Sequence, residues 1–222
     1  INHNYPTFND LYWTPGGNSD LKPEEAKMSE AGIKYHKAFG KTTIATENTF
    51  FFAHVSNWIL WQPSAGNIWS PTNLKKVENK GFESTLTIKY KLNKVDLSIR
   101  GNYAYTISKN IDLPKNTDDA LYKQLIYVPQ HQFNANAKLT YKNTSLSYGY
   151  YYTGLRYIST DNNWYLPANY ISNISLSQDI KLKTTSFNLR FQVNNLFNQT
   201  YQSIAWRPMP LRNYMLTLAF KL

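Results

Sequence analysis

Apolar and polar residues take turns along most of this chain. In the closing stretch Tyr214, Leu216, Leu218, Phe220 and Leu222 fall on one face of an extended strand, and Met215, Thr217, Ala219 and Lys221 on the other. A period of two marks a strand with one greasy and one wet face. The pattern recurs upstream. Over 74–92, Phe82, Leu86, Ile88, Tyr90 and Leu92 oppose Glu83, Thr85, Thr87, Lys89 and Lys91. Over 95–110, Leu97, Ile99, Tyr103 and Tyr105 oppose Asp96, Ser98, Arg100 and Asn102. Strands are likewise predicted over 24–38, 42–61, 125–142, 144–159, 169–182 and 185–198, with a strand stump over 1–5.

The connections alternate in length. Tight turns are predicted near 40, 93, 143 and 184, and long loops over 6–23, 62–73, 111–124, 160–168 and 199–211. Antiparallel strands in sequence order place all tight turns at one end and all long loops at the other. That asymmetry belongs to outer-membrane barrels, with short periplasmic turns and longer external loops. Inward-facing Lys89, Arg100, Lys138 and Arg190 would be ruinous in a dry sandwich core and suit a wet lumen. The fold class is therefore all-β, an antiparallel transmembrane β-barrel. About nine complete strands can be counted, so either a ten-strand barrel closes here or this is the carboxy-terminal part of a larger one.

Composition sharpens this picture. Aromatic residues make up 16% of the 222 positions, and 18 of them are Tyr, a ring with a polar tip suited to a boundary between lipid and water. Mean hydropathy is −0.52, which does not argue against a barrel, because only alternate residues meet lipid. No stretch approaches the roughly 20 apolar residues of a membrane helix. The absence of Cys excludes disulfides and thiolate metal sites. The net charge of +10 is spread over dispersed Lys residues, so a nucleic-acid partner is not expected. Cofactors and catalytic groups are not expected either. His3, His36, His54 and His131 lack metal-ligand spacing, and Asp118-Asp119 is a carboxylate pair without further ligands.

Four boxes carry a family resemblance. Asn4-Tyr5-Pro6-Thr7-Phe8-Asn9-Asp10-Leu11-Tyr12-Trp13 followed by Gly16-Gly17-Asn18-Ser19-Asp20-Leu21-Lys22-Pro23-Glu24 resembles paired boxes in the barrel of TonB-dependent outer-membrane receptors. Asn79-Lys80-Gly81-Phe82-Glu83 is similar to a strand motif of that family, and Asn194-Asn195-Leu196-Phe197-Asn198-Gln199-Thr200-Tyr201 to its penultimate-strand box. Arg207-Pro208-Met209-Pro210-Leu211-Arg212-Asn213-Tyr214 resembles the lead into its last strand. The version at Trp206-Arg207-Pro208 is closest to the vitamin B12 and siderophore branch.

The resemblance implies a barrel of about 22 strands with a plugged lumen, of which residues 1–222 form the carboxy-terminal portion, the plug domain lying elsewhere. It implies active import of a scarce metal chelate across the outer membrane, with a chelate ligand, lipid, lipopolysaccharide, the barrel-assembly machinery and, through the plug, the TonB complex as partners. The alternatives are a self-contained ten-strand protease, for which His54 and Asp161 are the rim candidates, a passive pore, or an adhesin. Candidate ligand contacts in the external loops are Trp13, Trp69, Trp164, Tyr165, Trp206 and Arg207. Trp58 and Trp61 are assigned to an interfacial girdle. Arg156, Arg207 and Arg212 are rim cations for an anionic ligand or lipopolysaccharide phosphates. Tyr214, Leu216, Leu218, Phe220 and Leu222 form the candidate assembly signal.

Overall fold

The computed structural model describes residues 1–64, 68–112, 118–182 and 185–221. Ten strands form one antiparallel sheet: β1 (Asn2–Asn4), β2 (Glu24–Phe39), β3 (Thr42–Pro63), β4 (Trp69–Leu92), β5 (Val95–Asp112), β6 (His131–Tyr141), β7 (Thr144–Thr153), β10 (Asn169–Lys181), β11 (Ser186–Asn194) and β14 (Asn213–Lys221), paired in that order. Between them lie two small hairpins, β8 (Arg156–Tyr157) with β9 (Tyr165–Leu166), and β12 (Gln202–Ile204) with β13 (Arg207–Pro208). The helix α1 (Phe8–Tyr12) precedes β2.

Register converts the alternation into two surfaces. Tyr90, Leu97, Leu139, Leu146, Leu176, Phe191 and Leu216 pair successively from β4 to β14, a continuous apolar row on one face. On the other face Lys89, Ser98, Lys138, Ser147, Ser175, Gln192 and Met215 pair in the same way. Aromatic rings bound the apolar face toward the loop end, where Phe50 meets Phe82, and Tyr105, His131, Phe133, Tyr150 and Tyr170 follow one another in contact or register. The Tyr103 hydroxyl lies 2.9 Å from His131 Nδ1, so these rings keep polar tips at the lipid boundary.

The tight turns fall where they are predicted. Gly40, Asn93 and Lys142 take φ of 56°, 52° and 52°, the left-handed conformation that short hairpins need. The turn expected at 183–184 lies outside the described residues.

Four loop boundaries differ from expectation. The expected loop over 62–73 is mostly strand: β3 runs to Pro63, β4 starts at Trp69, and Pro63 pairs with Trp69. At 22 and 24 residues these strands are about twice the 9–11 that cross hydrocarbon, and packing on both sides of the protruding hairpin keeps it extended. The strand expected over 125–142 begins only at His131. Tyr122 and Tyr127 adopt φ of 59° and Pro129 cannot donate to a ladder. Gln124 completes β5 instead, its Oε1 accepting from Ser108 N at 3.0 Å. β7 stops at Thr153 rather than at 159. The loops expected over 6–23 and 199–211 contain α1 and the β12–β13 hairpin respectively.

The buried cluster is not in the wall but at the loop end. Leu74, Val77 and Leu125 are 7%, 0% and 2% exposed and pack with Trp58, Leu60 and Val128. Asn57, at φ 55°, interrupts β3 just before this cluster. Val77 pairs with odd-numbered Val55, whereas beyond Asn57 it is even-numbered Trp58 and Leu60 that share its packing, so the inward face switches parity there.

Replacing Leu176 in the apolar row with Arg is expected to destabilise the folded barrel by about 2–4 kcal/mol near the bilayer midplane, less if nearer an interface. Arg at the wet-face position Ala219, paired with Asn188, should cost far less. Urea titration in liposomes, read by gel mobility without heating, checks both.

Candidate functional site

Two sets of contacts build the loop end, one on each side of the β3–β4 hairpin. Upstream of β2, Thr7 caps α1: Asp10 N donates to Thr7 Oγ1 at 3.2 Å, while Thr7 N and Oγ1 donate to Asp10 Oδ2 at 2.8 and 2.7 Å. This Thr-x-x-Asp reciprocity was legible in the first family box, although the helix was not expected. Asp10 Oδ1 then accepts from Trp61 Nε1 at 2.7 Å, docking the helix on β3. Burial works against the Asp10 carboxylate, yet the bonds from Thr7 and Trp61 win and hold its pKa below the ordinary value.

The second half of that box grips the hairpin tip. Asn18 Nδ2 donates to Pro71 O at 3.1 Å. Lys22 N donates to Asn73 Oδ1 at 2.8 Å, and Asn73 Nδ2 returns a bond to Lys22 O at 3.1 Å. Glu24 accepts from Ile59 N at 2.7 Å and Asn4 Nδ2 at 2.9 Å. Gly16 lies so close to the Trp69 carbonyl that a Cβ would overlap it, which is the physical reason for glycine there.

On the inner side, three loops bond into one layer. Arg156 Nη1 and Nη2 donate to the carbonyls of Ser203 and Gln202 at 3.2 and 2.9 Å. Gln124 N donates to Asn162 Oδ1 and Asn162 Nδ2 to Gln124 O, both at 2.9 Å. Tyr127 N donates to Tyr157 O at 2.8 Å, and Ala205 N to Tyr127 Oη at 3.3 Å. The penultimate-strand box turns the chain into this layer. Asn195, at φ 51°, is buried. Its Nδ2 donates to Gln199 O, and its Oδ1 accepts from Gln199 N, both at 2.8 Å. Asn198 Oδ1 accepts from Arg212 N at 2.9 Å. This family motif is therefore turn scaffolding.

Between hairpin and loop layer lies a cavity of about 1020 Å³. Trp58, Trp61, Trp69, Tyr127, Trp206 and Arg207 line it with aliphatic neighbours. The Trp69 and Tyr127 rings stand 6.3 Å apart. Trp206 is 89% exposed and held at φ 66° at the tip of the β12–β13 hairpin, its N–H donating to Gln202 Oε1 at 2.9 Å.

Of the six residues expected to touch ligand, Trp69, Trp206 and Arg207 meet here, while Trp13, Trp164 and Tyr165 lie exposed outside the lining. Trp69 is reached from a strand end rather than from mid-loop. Trp58 and Trp61, assigned to a girdle, are also in the cavity lining. Arg156 is a correction: it is buried inside the loop layer and spent on carbonyls, so it is no rim receptor for anions. Burial lowers its pKa from the ordinary arginine value, opposed by Tyr127. Sequence reading missed Tyr127, whose value comes from a left-handed turn rather than a pattern. His54 sits 3.5 Å from Glu78 on β4, and Asp161 accepts from Ser159 and Asn163 in its own turn, so the protease candidates are not brought together. Tyr214, Leu216, Leu218 and Phe220 share the apolar face of β14, opposite Val193, Phe191, Leu189 and Phe187. Leu222 lies outside the described residues.

Two outcomes are expected. Arg156→Met should raise amide exchange over 201–206 by about tenfold or more, since bonds from a charged donor are worth about 1.5–3 kcal/mol, and Arg156→Lys should not restore the two-pronged contact. For Asp10, the depressed folded pKa means the helix docking is fully supported above the ordinary carboxylate range and lost as pH falls through the depressed value. Acid titration of the Trp61 fluorescence should show this transition, and Asp10→Asn should flatten it.

The model of the TonB dependent receptor-like β-barrel family matches residues 3–196. The vitamin B12 transporter BtuB of Photobacterium profundum is 27% identical over 220 residues, 97% of this chain and 33% of that protein. BtuB of Vibrio vulnificus is 38% identical over 79 residues, 35% of this chain and 12% of its own length. Among solved structures, the copper transporter OprC superposes with a TM-score of 0.71 over 97% of this chain and 35% of that chain, at 15% identity. The siderophore receptor PiuA from Acinetobacter baumannii gives 0.67 over 90% and 29%, at 19% identity. At such identities the structures speak for the fold alone, and the chain spans about a third of the length of the Photobacterium relative it matches end to end. The chain belongs to the TonB-dependent receptor family of Gram-negative outer-membrane β-barrels, and supplies strands of the barrel wall.

Proposed function

We propose that residues 1–222 form the carboxy-terminal portion of a larger receptor barrel that imports a scarce metal chelate, a siderophore or cobalamin-like compound, by TonB-dependent active transport. The plug and its contact with the TonB complex belong to a separate part of the receptor. The observation that carries the reading is the aromatic cavity at the loop end, with Arg207 as its cation. Large rings with fixed orientation give apolar area at low entropic cost, and one cation orients a ligand carrying negative charge. Trp206 and Tyr127, both bulky side chains at positive φ, fit a site where strain is retained for function.

The sheet itself favours a larger barrel over a closed ten-strand one. Among the described residues β1 and β14 stand at opposite edges of the sheet order and are not paired with each other. Unpaired strand edges cannot face hydrocarbon, so further strands complete the wall. The names of the curated relatives favour cobalamin as cargo. Transport of this kind needs no catalytic group: cargo binds under the loops, and movement of the plug opens the path. Tyr214, Leu216, Leu218 and Phe220 present the apolar row that the assembly machinery reads, and lipid with lipopolysaccharide covers the same face afterwards.

Titration of the full-length protein in detergent with cobalamin and with ferric siderophores, read by quenching of indole fluorescence, tests the reading. Trp206→Ala and Arg207→Ala should each weaken binding of the recognised chelate by about tenfold or more, as truncation of an aromatic or Arg anchor that the ligand covers does. Trp164→Ala, outside the cavity, should leave it nearly unchanged. Equal affinity in the Trp206, Arg207 and Trp164 variants would remove the cavity from cargo recognition.

A further inference from the structure

Halfway down the wet face, away from the loop cavity, is a second hollow of about 390 Å³. Three cations line it, Arg100 of β5, Lys138 of β6 and Arg190 of β11, and none of its lining residues is Asp or Glu. The remaining polar groups include Asn136, Ser147 and Gln192. The hollow exists because residue 149 is glycine. Arg100, Asn136, Gly149 and Asn173 pair across four strands, and a Cβ on Gly149 would come within 3.0 Å of the Tyr151 ring and 3.1 Å of Asn136 Oδ1. The floor at Gly149 is thus bare backbone between Asn136 and Asn173.

Two carboxylates of the same face are engaged elsewhere. Asp96 lies 3.9 Å from Lys91 toward the turn end, and Asp179 accepts from Asn188 Nδ2 at 2.7 Å. Three positive charges facing one space repel one another, and a multivalent oxyanion between them relieves that repulsion. Guanidinium groups present forked donors matched to carboxylate and phosphate oxygens. A third hollow continues upward, sharing Tyr151 and Asn173 with this one.

We propose that the inner wall at Arg100, Lys138 and Arg190 is an oxyanion site, taking a carboxylate or phosphate group. It is distinct from the aromatic cavity and does not depend on what binds there. The group can come from a solute within the lumen or from an acidic side chain of the receptor itself, and the two sources behave differently. The test is calorimetric titration of the full-length protein in detergent with citrate and with inorganic phosphate, at low and high salt, alongside thermal unfolding. The variants are Arg100→Gln/Lys138→Gln/Arg190→Gln, which removes the charge, and Gly149→Val, which fills the hollow and keeps the charge. Gel mobility before and after heating confirms that each variant folds.

For a solute site, the wild type binds citrate or phosphate, added salt weakens binding, and both variants lose about tenfold or more in affinity. For a resident carboxylate, the wild type binds neither anion and the charge-removed variant unfolds several degrees lower. The proposal is overturned if the folded charge-removed variant binds anions as the wild type does. It is equally overturned if the wild type binds neither and both proteins unfold at the same temperature.

Discussion

A backbone amide in hydrocarbon has no solvent to bond with, and leaving it unpaired costs several kcal/mol. Everything in this wall answers to that constraint. Within the ten-stranded sheet each strand from β3 to β7, and β10 and β11, is paired on both sides, and the pairing leaves side chains to point alternately at lipid and at water. The consequence is a structure without a conventional core: Leu176, Leu216 and Phe220 are 51%, 70% and 72% exposed, because lipid is their solvent. The hydrophobic effect that usually buries such residues inside a protein here holds them against the bilayer, and inter-strand bonding supplies the shape.

The loop end obeys the opposite rule. Beyond the aromatic band the chain returns to water, so its exposed backbone must find protein partners or water, and a packed cluster becomes necessary. Leu125, Val77 and Leu74 supply that cluster, and side-chain amides supply the missing ladder. Gln124 stands in for a strand residue beside β5, and Asn195 closes the turn out of β11. A layer held by many such local bonds can be rigid without a continuous sheet.

How much of this could be read in advance follows from the same division. Strand identity and facing were legible because lipid enforces period two at every position of the band, as in the row from Tyr90 to Leu216. The family boxes were legible too, though their role was not: Asn18, Asn195 and Asn198 are clamps and turn builders. What could not be read was the loop layer. Trp69 looked like a loop residue because Pro63, Gly66 and Pro71 punctuate the stretch, yet contacts from residues 16–22, distant in sequence, keep the hairpin extended. Arg156 looked like a surface cation because nothing local reveals that two carbonyls forty-six and forty-seven residues away receive it.

Arg156 also shows why the loop layer is built from carbonyls rather than ion pairs. A buried guanidinium opposed by a carboxylate would form a net-neutral pair, and that pairing would compete with any anion nearby. Opposed by the carbonyls of Gln202 and Ser203 alone, it keeps its full charge while its planar fork sets the β12–β13 hairpin in place. That hairpin is what brings Trp206 and Arg207 over Trp58 and Trp69. Positioning of the aromatic cavity therefore runs through Arg156, a buried cation that does not itself line it.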